Sequence, residues 1–227
     1  MRAHDIMAGM AIPALSLLET RVLGVLVEKQ KTVPDTYPLT LNALVAGCTQ
    51  KTSRDPVIDA SDADVQAAVD RLRQLSLVVE SSGGRVMRYA QNVARVLEVP
   101  SEAVALLATL MLRGPQTPGE IRINCERLHR FSDISSVEAY LRELAARPAG
   151  ALVVELPRSA GSRETRWMHL LSGAPAIPSA TAAVHDEVIG HGELATIKQN
   201  LDVLGRELAD VKLELARVME ALGIRRG

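Results

Sequence analysis

The sequence predicts a mainly α-helical chain with small β-hairpins, an α+β fold built from one unit used twice and followed by a long heptad helix. Three observations predict it. Between Ser61 and Ala90 an apolar stripe of Val65, Val69, Leu72 and Leu75 recurs at steps of four and three, so one helical face points at a core. An extended run Leu77-Val78-Val79-Glu80 follows, then the turn Ser81-Ser82-Gly83-Gly84 and the return strand Arg85-Val86-Met87-Arg88-Tyr89. The pattern then repeats: Val137, Leu141 and Leu144 correspond to Val65, Val69 and Leu72, and Leu152–Leu156 is answered by Arg166–Leu170. A helix followed by a two-stranded wing, used twice, reads as two tandem winged helix-turn-helix domains followed by a C-terminal coiled-coil helix.

Taken in order, Met1 to Ala14 forms a disordered tail, and the first winged-helix domain spans residues 15–91. Ser16 and Glu19 have capping-box spacing, each satisfying an orphan backbone N–H at a helix start. The first helix carries Leu15, Leu18, Val22, Val25 and Leu26 on one stripe and ends near Lys29 to Lys31, before Thr32-Val33-Pro34-Asp35. Pro38 as a first helical residue and Gly47 as a stop bracket a second, shorter helix through Leu41, Leu44 and Val45. Cys48 to Ala60 then makes a connection longer than a tight turn requires, with the polar run Gln50-Lys51-Thr52-Ser53-Arg54-Asp55-Pro56.

A linker over 92–100, with a short helical turn, leads to the second domain, residues 101–171. Its first helix is lined by Val104, Leu107, Ala108 and Met111 and stops at Arg113-Gly114-Pro115. Thr117-Pro118-Gly119-Glu120 combines a capping box with a proline at the first helical position, and Ser135-Ser136-Val137-Glu138 supplies the box for the third helix. Residues 172–185, rich in Gly, Pro, Ser and Thr, form a flexible linker. From 186 to 223, Leu194, Leu201, Leu208, Leu215 and Leu222 fall seven apart, with Ile197, Leu204, Val211 and Val218 each three beyond a leucine. That seam predicts a coiled coil of roughly 40 Å at ~1.5 Å per residue, hence a homo-oligomer joined through these nine residues; the order of assembly stays open.

Composition bounds the function. The 227 residues are 47% hydrophobic and 23% charged, enough to bury cores in two small domains, but aromatics are only 2%, too few for base-stacking platforms. Cys48 and Cys125 occupy equivalent second helices and lack metal-ligand spacing, so two core thiols in a reducing cytoplasm are expected. No segment has the length of a signal or membrane span. The five histidines are scattered, and no glycine-rich phosphate loop, GxSxG or HExxH is present, so no catalytic residue, metal or cofactor is expected and the protein is read as no enzyme.

Residues 15–90 carry nine basic and nine acidic side chains and residues 101–171 nine and eight, so a DNA site must come from local clustering. Arg85 and Arg88 flank the first wing, and Arg158, Arg163 and Arg166 occupy the second; Lys51 and Arg54 lie in the long loop. These seven are the candidate contacts to double-stranded DNA. The bland reading pairs the wing arginines with Glu80, Glu155 and Glu164, and Arg54 with Asp55. The third helices begin with Asp62 and Asp64 or with Glu138, which suit the helix dipole but repel phosphate. The leading expectation is thus a DNA-associated protein of the transcriptional-regulator kind, acting as an oligomer; the alternative is a protein-interaction scaffold that binds no DNA.

The stretches Leu18–Gly24, Glu28–Gln30, Tyr37–Asn42, Gln50–Val57, Leu112–Glu120 and Arg163–Leu170 together resemble the bacterial YceH family over about residues 15–171. Thr40 and Trp167 depart from the Ser and Tyr expected there. The resemblance implies a tandem winged-helix fold, and it carries over no catalytic or ligand residue.

Overall fold

The computed structural model describes residues 12–81, 86–158 and 164–174, all within one unit, Met1–Pro175. The heptad positions from Leu194 to Leu222 lie outside the described residues, as do Arg85 and Arg163. Among the described residues the fold is mixed α+β, with seven α-helices and two small antiparallel sheets.

Helix α1 (Leu17–Thr32) starts at Ser16, whose Oγ accepts from the Glu19 N–H at 3.1 Å while the Glu19 carboxylate accepts from the Ser16 N–H at 2.7 Å. Strand β1 (Leu39–Thr40) precedes α2 (Leu41–Cys48), which is capped by Thr40. Pro38 therefore stands before a strand, not inside the helix. Gly47 is not a stop either: a Cβ there would lie 2.5 Å from Val25 Cγ1, so this glycine lets α2 approach α1 closely. Helix α3 (Asp62–Gln74) buries Val65, Ala68, Val69 and Leu72, and strands β2 (Val78–Ser81) and β3 (Arg88–Gln91) complete a sheet of order β1-β3-β2. Tyr89 pairs with Leu39 on one side and Glu80 on the other.

After α4 (Val93–Leu97) the order of elements returns: α5 (Ser101–Arg113), α6 (Pro118–Cys125), α7 (Ile134–Ala145), β4 (Val153–Glu155) and β5 (Trp167–His169). The first sheet's third strand is here reduced to one bridge, Gln116 with Trp167, whose two backbone bonds are 3.1 and 2.7 Å. Thr117, Pro118 and Glu120 start α6 as the sequence predicts. Helix α7 differs. Its cap is Asp133, which accepts from the Ser136 N–H at 2.7 Å, so Ser135 lies within the helix and Glu138 instead pairs with Arg142. The remaining capping box belongs to α3, where Ser61 and Asp64 satisfy one another's backbone N–H.

The two repeats share a core. Every residue from Ala103 to Leu112 is buried, as is every residue from Thr20 to Val27, because α1 and α5 pack on each other as well as on their own repeats. A helix apolar on all sides has no face left for water. At Gly24 the two helices meet closely, with Leu112 filling the space its Cβ would take.

Candidate nucleic-acid interface

The long loop between α2 and α3 owes its length to two buried arginines. Arg21 of α1 donates from Nη1 to the Cys48 carbonyl at 3.2 Å and from Nη2 to the Pro56 carbonyl at 2.6 Å. Arg54 donates to the Gly47 and Ser53 carbonyls, and its two terminal nitrogens meet the Glu28 carboxylate at 3.2 and 2.7 Å. Burial would raise the Glu28 pKa, but the hydrogen bond and charge of Arg54, aided by Lys29, hold it below the usual carboxylate value. The Arg21 guanidinium is pulled down by burial and by Arg54 beside it. Asp55 is not the partner of Arg54; its N–H donates to the Leu112 carbonyl at 2.8 Å, tying the loop to the end of α5.

This arrangement removes Arg54 from any phosphate contact, since its guanidinium is buried and fully engaged. Lys51, on the same loop, is exposed. Arg88 and Arg166 prove to be one residue repeated. Arg88 Nη1 reaches the Pro38 carbonyl at 2.8 Å and that of Thr36 at 3.2 Å; Arg166 Nη1 reaches the Pro115 carbonyl at 2.8 Å, and its Nη2 meets Glu120 at 3.0 Å. Each arginine thus clips its hairpin to the segment that precedes the second helix. Both remain exposed, and Arg88 meets carbonyls, not a carboxylate, so its charge is not neutralised. Arg158 is exposed beyond β4. Glu80, expected as a partner of the wing arginines, pairs with Arg73 at 2.7 Å.

The outward face of α3 was not among the sequence candidates. Opposite the buried stripe lie Ala63, Ala67 and Gln74, with Arg71 at their flank, all exposed. Asp70 beside them is held by Gln66 at 3.0 Å and Arg73 at 3.1 Å, and the Asp64 carboxylate is taken up by its own helix cap. The signal was present in the sequence, because the complement of the Val65-Val69-Leu72 stripe names these positions. The corresponding positions of α7 and its C-cap are Ser135, Ala139, Glu143 and Ala146, without the arginine or the glutamine.

Of the two thiols, burial pushes Cys48 up to about 12, and Cys125 is also raised by burial, as expected of core residues. No group of three or more His, Cys, Asp or Glu suited to a metal ion occurs among the described residues, and no described helix is long and apolar enough to cross a membrane.

The fold and its surface define a mixed α+β protein of two similar repeats. Residues 15–184 match the family described as protein of unknown function, DUF480, and the chain belongs to that family. It is 60% identical over 200 residues to a UPF0502 protein of Dechloromonas aromatica, covering 88% of this chain and 93% of the relative. It is 54% identical over 215 residues to one from Burkholderia thailandensis, covering 94% and 92%. A UPF0502 protein of Methylibium petroleiphilum is 55% identical over 200 residues, covering 87% and 85%.

Proposed function

We propose that this is a non-enzymatic, tandem winged-helix protein, in keeping with its resemblance to the YceH family, and that it binds double-stranded DNA through its first repeat. The observation that carries this reading is the outward face of α3. Small side chains at Ala63 and Ala67 allow a helix to approach base edges, and Arg71 and Gln74 are the residue types that read guanine and adenine in the major groove. Lys51 and Arg88 of this repeat are exposed cations for the phosphates, and Arg85, three residues before Arg88 in sequence, adds a further charge. Arg158, Arg163 and Arg166 supply a weaker, sequence-independent contribution from the second repeat. The heptad seam from Leu194 to Leu222 joins copies in a cytoplasmic oligomer and raises the effective concentration of such weak contacts.

The test is fluorescence anisotropy of mixed-sequence duplex DNA with full-length protein between about 50 and 200 mM salt, followed by selection of preferred sites. Binding falls with salt; Lys51→Ala lowers the slope by about one, whereas Arg71→Ala relaxes sequence preference. Absence of binding at low salt by folded protein overturns the DNA reading and leaves the protein-interaction scaffold.

A further inference from the structure

The second repeat also differs from the first at the corner between α6 and α7. Ile123, near the centre of the outward face of α6, is 70% exposed, and Ile134, the first residue of α7, is 47% exposed. Both border Gly119: the Ile134 Cδ1 lies 3.9 Å from where a Gly119 Cβ would stand, and Gly119 is one helical turn before Ile123. Single exposed aliphatic residues are common on surfaces, but two that border one glycine present an apolar corner.

The charges around the patch are lopsided. Arg122 and Arg127 flank Ile123 and are exposed, and Arg130 extends past the end of α6 with only a loose approach to Glu126 at 4.0 Å. Of the nearby acids, Glu120 meets Arg166, and Asp133 caps α7 but lies close enough to feel the charge of Arg122, which donates to the Ser132 carbonyl at 3.3 Å; Arg127 and Arg130 are left as the more open cations. In the first repeat, α2 carries no charged residue, Ala46 stands in the place of Ile123, and Asp62 in that of Ile134. At this corner the second repeat thus exposes two isoleucines beside arginines where the first repeat has an alanine and an aspartate.

We propose that this corner docks a protein segment of acidic, amphipathic helical character, its aliphatic or aromatic anchor seated on Ile123 and Ile134 and its carboxylates facing Arg122, Arg127 and Arg130. Arginine is the cation favoured at protein interfaces, and charge complementarity around an apolar centre fixes register. An acidic amphipathic helix covers the isoleucines and the arginines together, whereas the phosphates of duplex DNA satisfy the arginines alone. The inference is independent of DNA binding by α3.

The probe is a fluorescein-labelled synthetic helix of about four turns with leucines on one face and glutamates on the other, alongside a twin with lysines replacing the glutamates; anisotropy is read with full-length protein. The acidic peptide binds and the basic twin does not. Ile123→Ser and Arg127→Glu each weaken binding by about tenfold or more, whereas Arg71→Ala leaves it unchanged. Both altered side chains are exposed, and an unchanged urea midpoint shows that the variants are folded. No binding of the acidic peptide at about 1 mM, or binding indifferent to both corner variants, overturns the proposal. Sedimentation with phosphatidylglycerol vesicles that is lost in the same two variants, without peptide binding, overturns it in favour of an anionic membrane surface.

Discussion

Arg54 and Glu28 form a two-point ion pair, Nη2 to Oε2 at 2.7 Å and Nη1 to Oε1 at 3.2 Å, with the arginine side chain wholly withdrawn from solvent. Arg54 belongs to the loop and Glu28 to α1, so the pair fastens the loop that also touches the end of α5. A buried pair is costly to break because the surviving charge is left without its partner. Arg54→Ala is expected to destabilise by about 3 kcal/mol, and the double replacement Arg54→Met with Glu28→Leu by clearly less. Urea denaturation of the two variants measures the difference. A loss below about 1 kcal/mol for Arg54→Ala would place the pair with ordinary surface bridges.

Gly24 and Leu112 hold the repeats together by close approach. A Cβ on Gly24 would lie 2.8 Å from Leu112 Cγ and 2.9 Å from its Cδ2. Gly24→Ala gains helix propensity but overfills this joint, and the net cost is expected to be about 1–3 kcal/mol. Leu112→Ala alone leaves a cavity costing about 2–5 kcal/mol. The double variant is expected to lose less than the sum of the two, since the new methyl enters the vacated space. Strict additivity in a urea-denaturation cycle would show that α1 and α5 do not meet tightly there.

Arg88 and Arg166 are expected to stabilise the hairpins locally more than the whole fold. Arg166 bridges the Pro115 carbonyl and Glu120 next to the bridge in which the Trp167 N–H donates to Gln116. Arg166→Ala should raise hydrogen exchange at the Trp167 amide by about tenfold, equivalent to about 1.4 kcal/mol of local opening, with little change at α5 amides. Equal acceleration throughout the second repeat would mean that the arginine supports global stability instead.

The legible part of this chain was the part written in period and punctuation. The stripes of α3 and α7, the second hairpin, and the Ser16 and Thr117 caps all follow from local rules, and the structure has them; the first hairpin is present but shifted, with Ser81 paired to Arg88 instead of opening the turn and the return strand running over Arg88–Gln91 instead of 85–89. Tertiary proximity decided the rest. Gly47 reads as a helix stop because glycine often is one, but here it answers to Val25 on another helix. Ser135 matched a capping pattern, yet Asp133 lies two residues earlier and accepts the Ser136 N–H. Among the candidate site residues, charge could be read but burial could not: Arg54 and Lys51 sit three apart in one polar loop, and only the first finds a carboxylate beneath it. The exposed isoleucines were invisible for the opposite reason, since an apolar residue in an amphipathic helix is read as core unless its face is known.

His169 gives the fold a dependence on acid. It lies on β5, is 8% exposed, and its Nδ1 has no hydrogen-bond partner among the described residues. Burial pushes its pKa down to about 4, from about 6.5 in an unfolded chain. The unfolded state therefore binds the proton first as pH falls, and the native state must take it up in a site that disfavours charge. The stability contribution is fully present above about pH 6.5 and is lost progressively toward pH 4. Glu28 acts in the same direction at lower pH, its depressed pKa placing its own loss below the usual carboxylate value. Between pH 7 and pH 5 the histidine alone is expected to remove about 2 kcal/mol. His169→Leu removes the titrating ring and should flatten that slope, whatever its effect on stability at pH 7. Urea midpoints of both proteins at the two pH values measure it: parallel losses in the wild type and the variant would assign the acid sensitivity to a group other than His169.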